Sequence, residues 1–289
     1  MKHAPFFSSL LIATATIAFA GSLLADDQGF PNYAAEKANT FSLGIEGFRD
    51  HYRETPSNVD VTDDTNYGSI TGSWMHSAPM INQDRFMFGI DGRASYGTDN
   101  YHSPSGTESG TPEYEFEGRI LTGVQFGSFL EETPFHGSLF PYLGLGLRYY
   151  RYDGKGRITS IGDLSYDRRI TQSYVPIGVT YTYITDGGIS IAPNFEFDPI
   201  IRGYVDSRLS NDRLQDVENT QNHDGYGLRS EVMVGWNAAN INWQAGPFVR
   251  FWSFQNSDVV PTNFLPPGKG LEEPSNNRIQ YGLALKALW

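Results

Sequence analysis

Acids and arginines recur at every second position along this chain, and residues that alternate so stand on one face of an extended strand. Glu115, Glu117 and Arg119 share such a face; Asp91 goes with Arg93 and Arg229 with Glu231. The full set of charges placed on one side by this parity is Glu46, Asp91, Arg93, Glu115, Glu117, Arg119, Arg148, Glu196, Arg229, Glu231 and Arg250, with Gln125, Gln172, Asn194 and Lys286 beside them. A mixed-sign set gathered inside a fold can pair into a salt-bridge plug or line an ion path. Histidine chemistry is less well served by the spacing. Asp50 and His51 are adjacent and so point to opposite faces, and Ser69 and Ser73 share a face that His76 does not. His102 near Asp99, and His223 beside Asp224, are the remaining acid–base candidates, whereas His136 with Glu131 and Glu132 reads as an acidic turn. No cysteine is present, which removes thiolate catalysis, disulfides and cysteine metal sites together. Gly144-Leu-Gly146 lies inside a strand pattern and opens no helix, so it is not a nucleotide loop. No catalytic residue, metal or cofactor is expected.

The elements that must carry these charges are strands. Period-two alternation predicts ten, near 40–53, 66–78, 84–97, 113–129, 139–153, 167–184, 188–205, 225–237, 240–256 and 277–289. Within the fourth, Tyr114, Phe116, Ile120 and Val124 oppose Glu115, Glu117 and Arg119; within the fifth, Leu143, Leu145, Leu147 and Tyr149 oppose Gly144, Gly146 and Arg148. Links after even strands are short (79–83, 130–138, 185–187, 238–239). Those after odd strands are long and polar (54–65, 98–112, 154–166, 206–224, 257–276). An even number of half-apolar strands with alternating short and long links predicts an all-β, antiparallel up-and-down transmembrane barrel, with short periplasmic turns and long extracellular loops.

Composition excludes the competitors. Beyond residue 25 no uncharged apolar run approaches the length of a membrane helix. Aromatics make up 14% of the chain and glycine accounts for 31 residues, a combination produced by half-apolar strands flanked by aromatic girdles. The net charge of −12 leaves no basic patch for phosphate counterion replacement, so no nucleic-acid partner is expected. Met1-Lys2-His3, the apolar run Phe6 to Ala20 and the small residues Ala18 and Ala20 predict a secretory signal peptide over 1–20, with cleavage after Ala25 as the other site. Residues 21–39 then read as a periplasmic lead-in and 40–289 as the barrel. The destination is the bacterial outer membrane.

The ending, with Tyr281, Leu283, Leu285 and Trp289 on one face, resembles the C-terminal signal of bacterial outer-membrane proteins, which implies recognition by the barrel insertion machinery. Pro141–Tyr149, Tyr166–Arg169 with Tyr174–Gly178, Pro247–Trp252 with Asn256–Asp258, and Glu273–Asn277 resemble a family of proteobacterial outer-membrane barrels without an assigned activity. Strand number and loop spacing, with Tyr174–Tyr181 and Gly203–Ser207, resemble the omptin surface proteases, which implies a rim site built on acids and a histidine. Omptins carry a His two residues after an Asp on the fourth outer loop. Here Asp206 is followed by Ser207 and Arg208, and Asp212 by Arg213 and Leu214, so the proton acceptor is missing from that place. Ten strands make a narrow tube, so the charges are expected to pair across it. Arg250 and Trp252 share the inner face, where Trp252 either shields that arginine or fills space near the outer rim. The expected protein is a monomer with a largely closed lumen. It is in contact with outer-membrane lipids and lipopolysaccharide, and acts through its loops on an extracellular ligand or in envelope structure. A narrow channel is the second reading and a rim protease the third.

Overall fold

The computed structural model describes residues 38–55, 61–81, 84–127, 137–212, 214–222 and 224–289. The signal-peptide segment, nearly all of the lead-in, His136 with Glu131 and Glu132, and His223 lie outside them. The described residues form fourteen strands: β1 Asn39–Glu54, β2 Thr62–Pro79, β3 Arg85–Ser103, β4 Gly106–Gln125, β5 Gly137–Asp153, β6 Asp167–Tyr174, β7 Ile177–Ile184, β8 Ser190–Arg208, β9 Val217–Asn222, β10 Gly225–Ala238, β11 Ile241–Phe254, β12 Val260–Pro261, β13 Gly270–Leu271 and β14 Asn276–Leu288. β1 to β5 pair antiparallel in order, β6 and β7 together fill the place between β5 and β8, and β8 pairs with β10, β10 with β11, β11 with β14 and β14 with β1, which closes a ten-stranded up-and-down barrel.

Parity explains both faces. Leu143, Leu145 and Leu147 of β5 and Phe116 and Ile120 of β4 face outward and are about half exposed, while their neighbours Glu115, Glu117 and Arg148 are buried. A surface so apolar is stable in acyl chains, not in water. On β3 this belt runs from Phe86 to Tyr96; beyond Tyr96 the outward residues are Thr98 and Asn100. The strands therefore project past the membrane at the long-loop end. Short-turn geometry follows local chemistry: Ala239 and Asn240 have φ of 54° and 61°, the left-handed pair that a two-residue type I′ hairpin requires.

Three sequence expectations need correction. The predicted single strand 167–184 is divided into β6 and β7 at Val175 and Pro176, because Pro176 has no N–H to donate to the ladder. Residues 98–112 are not a loop; β3 and β4 continue as a paired ribbon, Asn100 against Ser109, to a tight turn after Ser103. Above the membrane both faces of a ribbon meet water, so the alternation that reveals a strand is lost there. The two longest links are also structured. β9 pairs with β8 within 206–224, and β12 pairs with β13 within 257–276.

These links are tied to one another. Ser160 donates its amide to the Thr107 carbonyl at 2.9 Å, Asp258 donates to Thr220 at 3.0 Å, and Asn219 donates to the carbonyls of Asp258 and Leu271 at 2.9 Å each. Arg157 pairs with Glu108, and Arg168 with Glu273.

Candidate functional site

The lumen is organised by β4, whose inward residues Glu113, Glu115, Glu117 and Arg119 follow one another at period two. Arg119 grips Asp91 of adjacent β3 through two hydrogen bonds, of 2.8 and 2.9 Å, and reaches across to Glu196 of β8 at 2.7 and 2.9 Å. Glu117 accepts from Arg229 of β10 at 3.0 Å and from the Tyr174 hydroxyl at 2.5 Å, with Arg93 at 3.2 Å. Glu115 accepts from Arg93 at 2.6 Å, Arg148 at 2.7 Å and Gln280 of β14 at 2.8 Å. β8, β10 and β14 are not neighbours of β4, so each of these bonds crosses the tube.

The other residues complete the set. Arg250 of β11 forks onto Glu46 of β1 at 2.8 and 3.1 Å, and Arg93 lies 3.7 Å from the same carboxylate. Arg229 also bonds Asp198 at 2.6 Å and lies 3.1 Å from Glu196. Glu231 meets Lys286 at 3.4 Å near the short-turn end, where both are partly exposed. Each of the eleven charges is ion-paired with another of the set or, for Glu231, with Lys286. The planar guanidinium suits this work, because its donors can serve two carboxylates at once. Burial of so many ions is tolerable only with such pairing.

Several lumen residues escaped the sequence reading. Asp50, Glu113, Asp198 and Arg278 are buried, and Arg278 bonds Asp50 at 2.8 Å. Their parity matches that of Glu46, Glu115, Glu196 and Gln280, and this was the available signal. Trp252 is also corrected. It is fully buried and lies 5.0 Å from both Arg148 and Arg229, while Arg250 sits over Phe248 at 3.9 Å. The indole therefore separates two arginines other than the one expected.

Aromatic rings reach the axis by lying over glycines. A Cβ on Gly146 would stand 2.2 Å from the Tyr174 ring, and one on Gly227 would stand 2.7 Å from Trp252. Gly146→Val should expel Tyr174 from its bond to Glu117 and lower stability by about 1–3 kcal/mol, measured by denaturant unfolding in detergent. Gly118→Val, on the outer face with nothing within 4 Å, should be near neutral.

Among the described residues, the rim holds no acid–histidine pair at the Asp50–His51 or Asp99–His102 positions, and His223 lies outside those residues. His102 is exposed and Asp99 is fully buried, on opposite faces of β3. His51 contacts Asp64 at 3.1 Å on the outer wall, alongside Arg49. Asp206 is ion-paired with Arg208 at 2.8 Å, and a guanidinium cannot accept a proton. In the adjoining loop the Ser210 amide, and then Arg208, hold the Asp216 carboxyl below the usual range. Among the described residues no group of three or more His, Asp or Glu could hold a metal ion.

No family model and no curated protein matches the sequence. Solved structures do match. The outer-membrane protease OmpT of Escherichia coli aligns at 11% identity with a TM-score of 0.53, over 87% of this chain and 96% of that one. The translocator domain of the autotransporter NalP of Neisseria meningitidis aligns at 8% identity with a TM-score of 0.41, over 98% and 99%. The toluene transporter TodX of Pseudomonas putida aligns at 8% and 0.36, over 93% and 96%. At such identities the likeness is one of fold. The fold is that of an outer-membrane β-barrel, and its architecture resembles that of the omptins.

Proposed function

We propose that the protein is a non-conducting barrel of the bacterial outer membrane that works through its extracellular surface. The observation that carries this reading is the set of bonds from Glu115, Glu117 and Arg119 to three strands on the far side of the tube. A narrow barrel crossed at successive levels by paired ions has no continuous water path, because each pair must part before an ion can pass. The partly exposed Asp91–Arg119 and Glu231–Lys286 pairs make a polar vestibule at the short-turn end, not a channel.

The loops support recognition. They are tied by backbone hydrogen bonds, and the link 154–166 displays Ile158, Ile161 and Leu164, each more than half exposed and beyond the membrane belt. Apolar side chains held on a fixed polar loop suit a protein or glycan partner. Arg151, Arg169, Arg202 and Arg208 lie on the outer wall above the belt and suit lipopolysaccharide phosphates. The omptin-like fold brings the protease reading with it, and the Asp206–Arg208 pair speaks against it by leaving no base.

In planar bilayers the purified protein should be electrically silent, and Arg119→Met combined with Arg229→Met should introduce current. Cells bearing Ile158, Ile161 and Leu164 replaced by Ser should keep a silent barrel yet lose adherence to matrix-coated surfaces. Steady ohmic current through the unaltered protein would favour the channel reading instead.

A further inference from the structure

Above the outer girdle the lumen changes character, because carboxylates there outnumber the cations that could pair with them. Glu113 is satisfied. It accepts from Thr65 at 2.6 Å and Tyr67 at 2.7 Å, accepts also from Tyr150, and has Arg278 at 3.8 Å. Three hydroxyl donors and a nearby guanidinium all favour the ionised form of Glu113, which makes it the anion of this group. Asp99 is different. It is completely buried, its Oδ2 has no hydrogen-bond partner among the described residues, and its Oδ1 lies 3.2 Å from the Thr65 hydroxyl. Thr65 has one proton, and the shorter bond gives it to Glu113. The Asp99–Thr65 contact is then a hydrogen bond only if Asp99 supplies the proton.

We propose that Asp99 is a neutral carboxylic acid at pH 7, donating to Thr65, which donates in turn to Glu113, so that the outer lumen is a buried proton-holding site. The charged and titratable groups around it are Asp63 of β2, Glu113 of β4, Tyr152 of β5, Arg278 of β14 and, beyond Asp63, Asp50 of β1. Arg278 is bonded to Asp50 and lies near Glu113, and Arg168, the other cation acting on Asp63, is paired with Glu273, so neither guanidinium contacts Asp99. Asp99 lies past Tyr96, outside the membrane-spanning stretch. There burial first, and then the neighbouring Asp63 and Glu113 carboxyls, raise its carboxyl above the usual range. The proton is the better occupant than a metal, because no metal-holding group exists among the described residues.

The sign of the pH effect follows. Between the ordinary Asp value, about 4, and the raised value, the folded protein binds a proton that the unfolded chain has lost. Stability therefore falls as pH rises through that window, by up to about tenfold in the folding equilibrium constant per pH unit for this one group. Asp99→Asn mimics the neutral acid. It should fold as well as the parent at pH 7 and remove this share of the slope. The decisive measurement is infrared spectroscopy of the lipid-reconstituted protein at pH 7, which should give neutral carboxylic-acid absorption that Asp99→Asn reduces by one carboxyl. Undiminished absorption in the variant would overturn the assignment. So would the absence of such absorption from the parent, including the case in which sodium or calcium stabilises the parent and not the variant.

Discussion

Replacing Glu117 by Gln should lower the unfolding free energy of the barrel by about 3–5 kcal/mol. Glu117 lies against two buried guanidiniums, Arg93 and Arg229, and takes the Tyr174 hydroxyl as well. Removing its charge leaves both buried arginines with fewer counterions. Arg93 retains Glu115, and Arg229 retains Asp198 and Glu196, which limits the loss. Removing charge in pairs should behave differently. Glu117→Met with Arg229→Met takes out one charge of each sign and should cost much less than the sum of the single changes, as buried pairs replaced by apolar residues do elsewhere. Glu231→Gln provides the contrast, because its partner Lys286 is partly solvated and the loss should be about 0–1 kcal/mol. Denaturant titration of the parent, Glu117→Met, Arg229→Met and the double variant in one detergent would measure the cycle. Additive losses would mean that the network is a set of independent contacts and not a coupled plug.

How far the sequence reveals this arrangement depends on what surrounds each stretch of strand. Where lipid bathes one face, the contrast between Phe116 and Glu115, or Leu147 and Arg148, makes parity legible, and the ten barrel strands follow from it. Where water bathes both faces the contrast vanishes, and the ribbon around Asn100 and Ser109 reads as loop. A second limit is the bulge in β8. Ile200 is buried, Ile201 and Arg202 are both exposed, and Val205 is buried, so the inward parity changes from even to odd. Two adjacent isoleucines carry no mark of that shift. Parity also assigns a face and not a partner. That Arg229 meets Glu117, or Gln280 meets Glu115, depends on which strands oppose one another across the tube, a property of closure that no local pattern contains. Asp50 and Arg278 escaped notice for a plainer reason, since they lie toward strand ends where Arg49 and His51, and Asn276 and Asn277, are already polar.

Closure itself yields the other large effect. Deleting Tyr281 through Trp289 should abolish the folded barrel altogether, in cells and in detergent refolding alike. β14 is hydrogen-bonded to β11 on one side and to β1 on the other, and the ends are fastened by reciprocal bonds between Phe41 and Trp289 at 3.1 Å. Without this stretch both edges would present unpaired amides and carbonyls to hydrocarbon, at several kcal/mol for each group. Heat-modifiable gel mobility and protease resistance would report the loss. A milder change separates closure from recognition. Trp289→Ser keeps the two backbone bonds to Phe41 and removes only an outward, half-exposed ring. If the insertion machinery reads that ring, this variant should refold from urea into detergent about as well as the parent, yet accumulate unassembled in cells. Failure in both settings would instead make the indole a lipid-facing anchor whose burial in the bilayer stabilises the last strand. Normal assembly in both would remove Trp289 from the signal and leave Tyr281, Leu283 and Leu285 to carry it.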